Sequence, residues 1–121
     1  MKKTKKQKGK AGEELALDFL KKKGFTLVCQ NYFTPQGEID LIVQRGHTLV
    51  FVEVKAYTSE ELCAIEKVDQ RKREKIAKVA EIFILKNPEL LSKIKEIRFD
   101  VITVNLNKGD VRHYEGAFFK E

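Results

Sequence analysis

Two short runs of mostly apolar residues, separated by a glycine-containing turn, constrain this chain more than any other feature. Residues 38–44 (EIDLIVQ) and 49–55 (LVFVEVK) flank the sequence RGHT at 45–48. Runs rich in Val, Ile and Phe on either side of such a turn predict an antiparallel β-hairpin. Both runs are strongly apolar, which argues against simple charge decoration of the acids and the lysine within them.

The register of this hairpin opposes two acids. If the turn is centred in residues 45–48, Asp40 faces Glu53 and Glu38 faces Lys55. Directly opposed residues have Cβ atoms about 4.5–5.5 Å apart, and like charges there destabilise a sheet. The opposition of Asp40 and Glu53 therefore predicts a bound cation. Mg²⁺ is a candidate, because it is commonly held by one or two carboxylates with water. A solvated polar face is the alternative interpretation, because Glu-x-Lys is a weak pattern by itself.

Strand alternation divides the hairpin residues between two faces. It predicts one apolar face, made of Ile39, Leu41, Val43, Val50, Val52 and Val54. It predicts an opposite face with Glu38, Asp40, Ile42, Leu49, Phe51, Glu53 and Lys55. Lys55 follows Glu53 on this second face, where it could orient or deprotonate a water molecule and stabilise charge on a phosphate.

An amphipathic helix is predicted over residues 10–23, because Leu15, Ala16, Phe19 and Leu20 recur at helical spacing. Glu13 shares a helical row with Ala16 and Leu20, so it borders the buried face. Glu13 could therefore reach the acidic pair as a third carboxylate. A half-buried Glu paired with a Lys is an equally good interpretation.

A second helix is predicted from residue 61 or 65 to residue 86, ending near Asn87 and Pro88. Lys72 lies in the middle of its apolar stripe, which is unusual for a cation. Lys72 could snorkel to water, or it could point across the sheet at the acidic site or at a phosphate. The helix is also the most basic part of the folded body, and a solvated helix face explains most of these residues equally well: Lys67, Arg71, Arg73, Lys75 and Lys78.

The remaining pattern completes an α/β domain. Further strands are predicted at 25–29, 98–105 and 111–114, and a short helical piece at 89–95. The order of elements indicates a mixed β-sheet, with the antiparallel hairpin at its front, flanked by helices.

Charge is distributed unevenly along the 121 residues. The net charge is +6, and the first ten residues contain six Lys and no acid. We therefore expect a flexible basic arm at 1–9, which attracts phosphate or merely aids solubility, and a single domain at 10–121. Cys29 and Cys63 do not form a CxxC pair, so a zinc ribbon or a redox pair is disfavoured. No apolar run is long enough for a membrane span, and a cytoplasmic location is the default expectation.

Several of these motifs together resemble the YraN-like family, an uncharacterised family with the restriction-endonuclease-like fold. The similarity rests on GEIDLI at 37–42 followed by FVEVK at 51–55, and it extends through most of the chain after the basic arm. Other matching residues are Gly12, Glu13, Ala16, Leu20, Asn31, Val68, Lys72, Arg98, Phe99, Asp100, Val101, Ala117 and Phe118. The resemblance extends to archaeal Holliday-junction resolvases, which share the PD-(D/E)xK nuclease core.

The resemblance implies roles for residues already singled out. Glu13 would be the helix-borne acid, Asp40 and Glu53 the core acids, and Lys55 the catalytic lysine. Lys72 would be the helix residue that approaches the site. Relatives usually carry a basic residue near the position of Tyr57, so this chain departs from the family pattern there and lacks that phosphate-binding cation.

Three functions remain open. The first is a nuclease dependent on Mg²⁺ or Mn²⁺ that acts on the DNA backbone, with branched DNA as a candidate substrate. Asp40, Glu53 and the Val54 carbonyl would hold the metal, while the second helix, through residues such as Arg71, Lys72 and Lys75, and the Lys-rich arm would grip the backbone. The second is a nucleic-acid-binding module without catalysis, which could recruit a protein partner. The third is an interaction domain without a nucleic-acid role.

Related resolvases act as symmetric dimers, so a homodimer is also implied, and the last strand near Tyr114, Phe118 and Phe119 is the candidate surface. The sequence does not distinguish DNA from RNA.

Overall fold

The predicted hairpin forms part of a five-stranded sheet in the computed structural model, which describes residues 5–58 and 70–117. The elements are α1 (Lys5–Lys22), β1 (Thr26–Thr34), β2 (Gly37–Arg45), β3 (Thr48–Tyr57), α2 (Gln70–Lys86), α3 (Pro88–Leu91), β4 (Glu96–Asn105) and β5 (Asp110–Tyr114). Strand order in space follows the order in the chain. β3 and β4 are parallel, and the other neighbouring strands are antiparallel. The predicted fold class, α/β with a mixed sheet and an antiparallel front hairpin flanked by helices, is confirmed.

The register of the hairpin is the predicted one. Gly46 and His47 form the turn, and pairing runs from Arg45 opposite Thr48 to Leu41 opposite Val52. Gly46 has a φ of 61°, a conformation that suits a tight hairpin turn.

Helices cover both faces of the sheet, which explains why β2 and β3 are apolar almost throughout. One cluster, the α1-side cluster, is made of Ala16, Leu20, Phe25, Leu41, Val43, Val50, Val52, Ile102 and Val104. The other, the α2-side cluster, is made of Ile39, Ile42, Leu49, Phe51, Ile76, Val79, Ala80, Phe83 and Val101. The sheet is therefore the shared wall of two cores.

The predicted alternation is wrong at Ile39. Ile39 packs in the α2-side cluster, whereas Leu41 packs in the α1-side cluster. The change of face occurs at Asp40 and at Asn31 of β1, which lie between the pairs Gln30–Leu41 and Tyr32–Ile39. Asn31 has a φ of 52°, outside the β region. The side chains of both strands therefore exchange faces of the sheet at this point.

The pairing of β2 with β3 also stops at this break. The described ladder ends at Leu41 opposite Val52, and the next contact is a hydrogen bond from the Val54 N–H to the Asp40 carboxylate. The described ladder therefore stops before both predicted pairs, Asp40 with Glu53 and Glu38 with Lys55, and the two acids meet through their side chains.

Helix α1 begins at Lys5, five residues earlier than predicted, so residues 5–9 of the predicted arm are helical. Residues 1–4 lie outside the described part of the chain. The helix ends as predicted, because Lys21 and Lys22 occupy its last turn and Gly24 adopts a φ of 94°.

Helix α2 ends at Lys86, before Pro88, as predicted. Its predicted start at residue 61 or 65 lies outside the described residues, which resume at Gln70. Helix α3 is shorter than the predicted piece at 89–95, because it starts at Pro88 and its last turn is closed by Ser92. β1 is longer than the predicted strand at 25–29 and continues to Thr34.

Candidate functional site

Two carboxylates lie side by side where the β2–β3 ladder ends. The Asp40 carboxylate accepts a 2.8 Å hydrogen bond from the Val54 backbone N–H. Glu53 is buried, with 6% of its surface exposed. Burial, followed by the charge of Glu53, raises the pKa of Asp40 to about 8. The structure thus brings together the two acids that the hairpin register predicted.

Lys72 of α2 points at this pair. Its Nζ atom lies 3.2 Å from the Glu53 carboxylate, and the Lys72 side chain is 40% exposed. Burial alone would lower the pKa of Lys72, but the charge of Glu53 and a hydrogen bond with Lys55 raise it overall. Of the two orientations open to Lys72 in the sequence, the structure shows the one directed at the acidic site.

Lys55 lies beside Lys72, within the electrostatic influence of both acids. Burial is the main cause that lowers the pKa of Lys55, and the hydrogen bond and positive charge of Lys72 lower it further. The charges of Glu53 and Asp40 oppose this effect only in part. A lysine with a lowered pKa more readily exists as a neutral amine, which is the form able to accept a proton.

Glu13 approaches the same region from α1. Its Oε1 atom accepts a 2.8 Å hydrogen bond from the Asn31 Nδ2 atom. Burial raises the pKa of Glu13, the hydrogen bonds with Asn31 and Gln30 lower it, and the charges of Glu38 and Glu53 raise it again. The predicted third carboxylate therefore feels the charge of the pair, and it is paired with an amide rather than a lysine.

The close approach of α1 to β3 depends on Gly12. A Cβ atom at Gly12 would lie 2.6 Å from the Ala56 Cβ atom, far inside normal contact. The glycine therefore lets the helix pack directly on β3 and sets Glu13 beside the acidic pair.

Two neighbouring cavities open at the site. One of about 440 Å³ is lined by Gly37, Glu38, Asp40, Glu53, Arg71, Lys72, Lys75 and Ile76. The other, of about 520 Å³, is lined by Gly9, Lys10, Glu13, Glu14, Gln30, Asn31 and Glu38. The predicted binding residues of α2 thus line the cavity of the acidic pair, and Glu13 lines the adjacent one. Glu38 belongs to both.

The donor set at Asp40 and Glu53 fits a hard divalent cation. Both donors are carboxylates, and burial keeps them poorly hydrated while their charges repel. Within residues 5–58 and 70–117, no three His, Cys, Asp or Glu side chains form a compact ligand cluster. A metal held by this pair would need main-chain oxygen and water as further ligands.

Tyr57 brings no positive charge to the site. It ends β3 half-buried, and its carbonyl accepts a 2.8 Å hydrogen bond from the Leu106 N–H. The cations that line the cavity come from α2 instead.

A second charged cluster, centred on Asp100, had no predicted role. The Asp100 side chain is fully buried and accepts two 2.9 Å hydrogen bonds from the Arg98 guanidinium. His113 contacts it at 2.6 Å, and the Gly116 N–H donates at 2.9 Å. These contacts join β4 to β5 and to the segment that follows β5, at Gly116. The sequence also assigned Asn31 no role in the site, because a polar residue in a strand does not by itself indicate a contact with Glu13.

Comparisons with known proteins agree with the resemblance seen in the sequence. The model of the Uncharacterised protein family UPF0102 matches residues 12–104. A UPF0102 protein from Dictyoglomus thermophilum is 42% identical over 105 residues, which cover 85% of this chain and 86% of the relative. UPF0102 proteins from Thermodesulfovibrio yellowstonii and Legionella pneumophila are 40% and 37% identical, and the matches cover at least 92% of each chain.

One solved structure, that of Pyrococcus furiosus SfsA in complex with Ca²⁺, shows a distant likeness. Its TM-score is 0.31 and its identity is 16%, over 89% of this chain and 62% of the SfsA chain. No helix in the described residues has the length and apolar character needed to cross a bilayer.

Proposed function

Because the chain belongs to the UPF0102 family, which is uncharacterised, we propose its function from its own site: a metal-dependent nuclease of the PD-(D/E)xK type. The proposed substrate is the DNA backbone, with branched DNA as the candidate structure. The observation that carries the proposal is the buried pair of Asp40 and Glu53, with Lys72 and Lys55 beside it.

The metal, Mg²⁺ or Mn²⁺, would be held by Asp40 and Glu53, with the Val54 carbonyl as a further ligand. A divalent ion there would polarise the phosphate and lower the pKa of water. The Val54 N–H keeps the Asp40 carboxylate facing Glu53, because their 2.8 Å hydrogen bond fixes its orientation. The protein thus supplies an arranged pair of donors before any ion arrives.

Lys55 is the residue that we assign to water activation. Its lowered pKa favours the neutral amine, which can accept a proton from the attacking water. Lys72 keeps its charge, because its pKa is raised, and it can stabilise the negative charge that grows on the phosphate. Glu13, oriented by its hydrogen bond with Asn31, would add a third carboxylate beside Asp40 and Glu53.

The backbone of the nucleic acid would be gripped by α2. Arg71, Lys72 and Lys75 line the cavity that contains the acids, so phosphate contacts and the reacting groups share one space. Contacts of this kind give affinity without base specificity, and the affinity falls steeply with salt. We place the reaction in the cytoplasm.

Cleavage of both strands of a branch needs two sites, so the proposal includes a homodimer on such a substrate. Tyr114 of the candidate dimer surface is half-buried and packs against the α2-side cluster. Phe118 and Phe119 lie outside the described residues.

One observation favours a second function, a nucleic-acid-binding module without catalysis. The ammonium group of Lys72 already lies 3.2 Å from Glu53 and neutralises part of the acidic charge. The fold could therefore tolerate the acids without a metal, and the α2 cations would still bind phosphate. Such a module would use a protein partner for any reaction.

A cleavage assay separates the two functions. The purified chain is incubated with single-stranded, duplex, flapped and four-way-junction DNA, with Mg²⁺, Mn²⁺ or EDTA. Lys55→Ala tests the site, and Lys86→Ala, at the exposed far end of α2, is the matched control. The proposal expects metal-dependent scission that Lys55→Ala reduces at least about a hundredfold, within the range for general acid–base groups, and that Lys86→Ala retains.

Scission that is equal in both variants would remove Lys55 from the mechanism. Binding at low salt without scission in any metal would favour the binding module.

A further inference from the structure

Phe33 is an aromatic side chain that the fold leaves in water. It lies near the end of β1, an edge strand, and 73% of its surface is exposed. An aromatic residue contributes most when it is buried, so an exposed one beside a functional site indicates a contact surface. The nuclease proposal assigns Phe33 no part.

The cross-strand neighbour of Phe33 lines both cavities of the site. Phe33 pairs across the strands with Glu38, which lines the cavity of the acidic pair and also the cavity of Glu13. It follows Asn31, where β1 turns over. Glu38 therefore joins the two cavities, and Phe33 lies directly across the strands from it.

The turn after Phe33 holds it in place. The buried Thr34 accepts a 3.1 Å hydrogen bond at Oγ1 from the Gln36 N–H, and its hydroxyl donates to the Gly37 carbonyl at 3.3 Å. Pro35 further restricts the backbone. These contacts hold the backbone next to the ring, so less backbone freedom is lost when a ligand packs against it.

Cations line both of the cavities that share Glu38. Arg71, Lys72 and Lys75 line one cavity, and Lys10 lines the other. A cationic path with an aromatic side chain along it is the usual arrangement for single-stranded nucleic acid, because phosphates pair with the cations and bases stack on the ring. An uncharged base can also lie next to Glu38, where a phosphate could not.

We propose that Phe33 is a stacking platform for an unpaired base next to the phosphate held at the acidic site. This inference rests on the proposed function for its setting, and it names the substrate class: DNA with a single-stranded segment or an unpaired base at the cut. Base stacking on an aromatic side chain raises affinity about tenfold per base.

A protein interface explains Phe33 less well. The other large apolar residues that are exposed in the described chain lie on α1, α2 and β4: Leu15, Leu85 and Ile97. Interfaces between proteins present contiguous patches of several hundred Å², which one phenylalanine does not supply.

The chain has no Trp, so a single introduced Trp reports on this position alone. Phe33→Trp keeps an aromatic ring opposite Glu38. Leu85→Trp is the matched control, since Leu85 is 80% exposed on α2 and lies about 20 Å along the helix from Lys72, at 1.5 Å per residue. Each variant is titrated with oligothymidylate in EDTA, so that no cleavage occurs.

The proposal expects strong quenching of the Trp at position 33 and little at position 85. It also expects Phe33→Ala to weaken binding of oligothymidylate about tenfold while duplex binding changes less than twofold. Equal quenching at both positions, or no quenching at position 33, would overturn it. So would a spectral shift at position 33 that depends on protein concentration without DNA, which would indicate a second copy as the occupant.

The two proposals fail separately. Quenching at position 33 with no scission in any metal keeps the stacking platform and removes the nuclease. Scission without quenching at position 33 keeps the nuclease and removes the stacking platform.

Discussion

The carboxylate of Asp40 takes a hydrogen bond from the backbone N–H of Val54 at 2.8 Å. In a continued ladder that donor would pair with a β2 carbonyl, so an acidic side chain here replaces the main chain of its own strand. The replacement is possible because β1 and β2 turn over together at Asn31 and Asp40. A local irregularity of the sheet therefore brings the two acids of adjacent strands together.

Stability without metal should fall as pH rises, because of Asp40. Its pKa is about 8 in the folded chain and 3.8 ordinarily, so the folded state binds the proton more tightly. The unfolded state holds fewer protons between pH 4 and 8, and the free energy of unfolding decreases across that window. Asp40→Asn keeps an acceptor for the Val54 N–H and removes the ionisation.

Urea unfolding of the wild type and Asp40→Asn in EDTA at pH 5 and pH 8 checks this effect. The variant should gain about 1–3 kcal/mol relative to the wild type between the two pH values, since one pKa unit corresponds to about 1.4 kcal/mol. Parallel pH profiles would show that Asp40 does not ionise within this window.

Asn31 should tolerate Gly better than Ala. Its φ of 52° suits Gly, whereas a β-carbon there costs about 1–2 kcal/mol. Both substitutions also remove the hydrogen bond to Glu13. By urea unfolding, we expect Asn31→Ala to be about 1 kcal/mol less stable than Asn31→Gly, the opposite of the usual order in strands. An Ala variant as stable as the Gly variant would mean that the backbone break is not needed.

Gly12→Ala should push α1 away from β3. The new Cβ atom would lie 2.6 Å from the Ala56 Cβ atom, and overpacking of this kind costs about 1–3 kcal/mol. Ala56→Gly removes the opposing methyl group, so the double variant should recover at least half of the loss. A double-mutant cycle from urea unfolding measures this coupling, and additive losses would argue against the contact.

Asp100→Asn should destabilise the domain without affecting the site. Burial would raise the pKa of Asp100, but hydrogen bonds with His113 and Arg98 lower it overall, so its contribution is present above pH 4 and is lost as pH falls further. The variant leaves the Arg98 charge with the Glu115 carboxylate, 3.7 Å away at the surface, in place of the buried Asp100, which should cost about 2–4 kcal/mol in urea unfolding at pH 7. If Mn²⁺ binding by the folded variant also fell, the cluster would have a role beyond the joining of β4 and β5.

Much of this site followed from local pattern. The glycine-containing turn fixed the hairpin register, from which the proximity of Asp40 and Glu53 was predicted, and helical phase predicted that Lys72 lies in a stripe that faces the sheet. Both inferences use short-range geometry, which a sequence encodes strongly.

Other features depended on contacts between distant parts of the chain. The break at Asn31 needs a positive φ that no turn motif announces, so strict alternation put Ile39 on the wrong face. The Asp100 cluster joins residues of β4 and β5 and the segment that follows β5. In the sequence, Asp100 matched the family pattern, but nothing there indicated its hydrogen-bond partners.

The central claim is that Asp40 and Glu53 form one divalent-cation site. Calorimetric titration of the wild type with Mn²⁺ at pH 8 tests it directly, beside Asp40→Asn and Glu53→Gln. Glu81→Gln, an exposed acid on α2, is the matched control for lost charge. The account predicts a single Mn²⁺ site in the wild type and in Glu81→Gln, weakened at least about tenfold in the other two variants, as expected when a ligand is lost. Binding that is absent from the wild type, or unchanged in Asp40→Asn and Glu53→Gln, would contradict it.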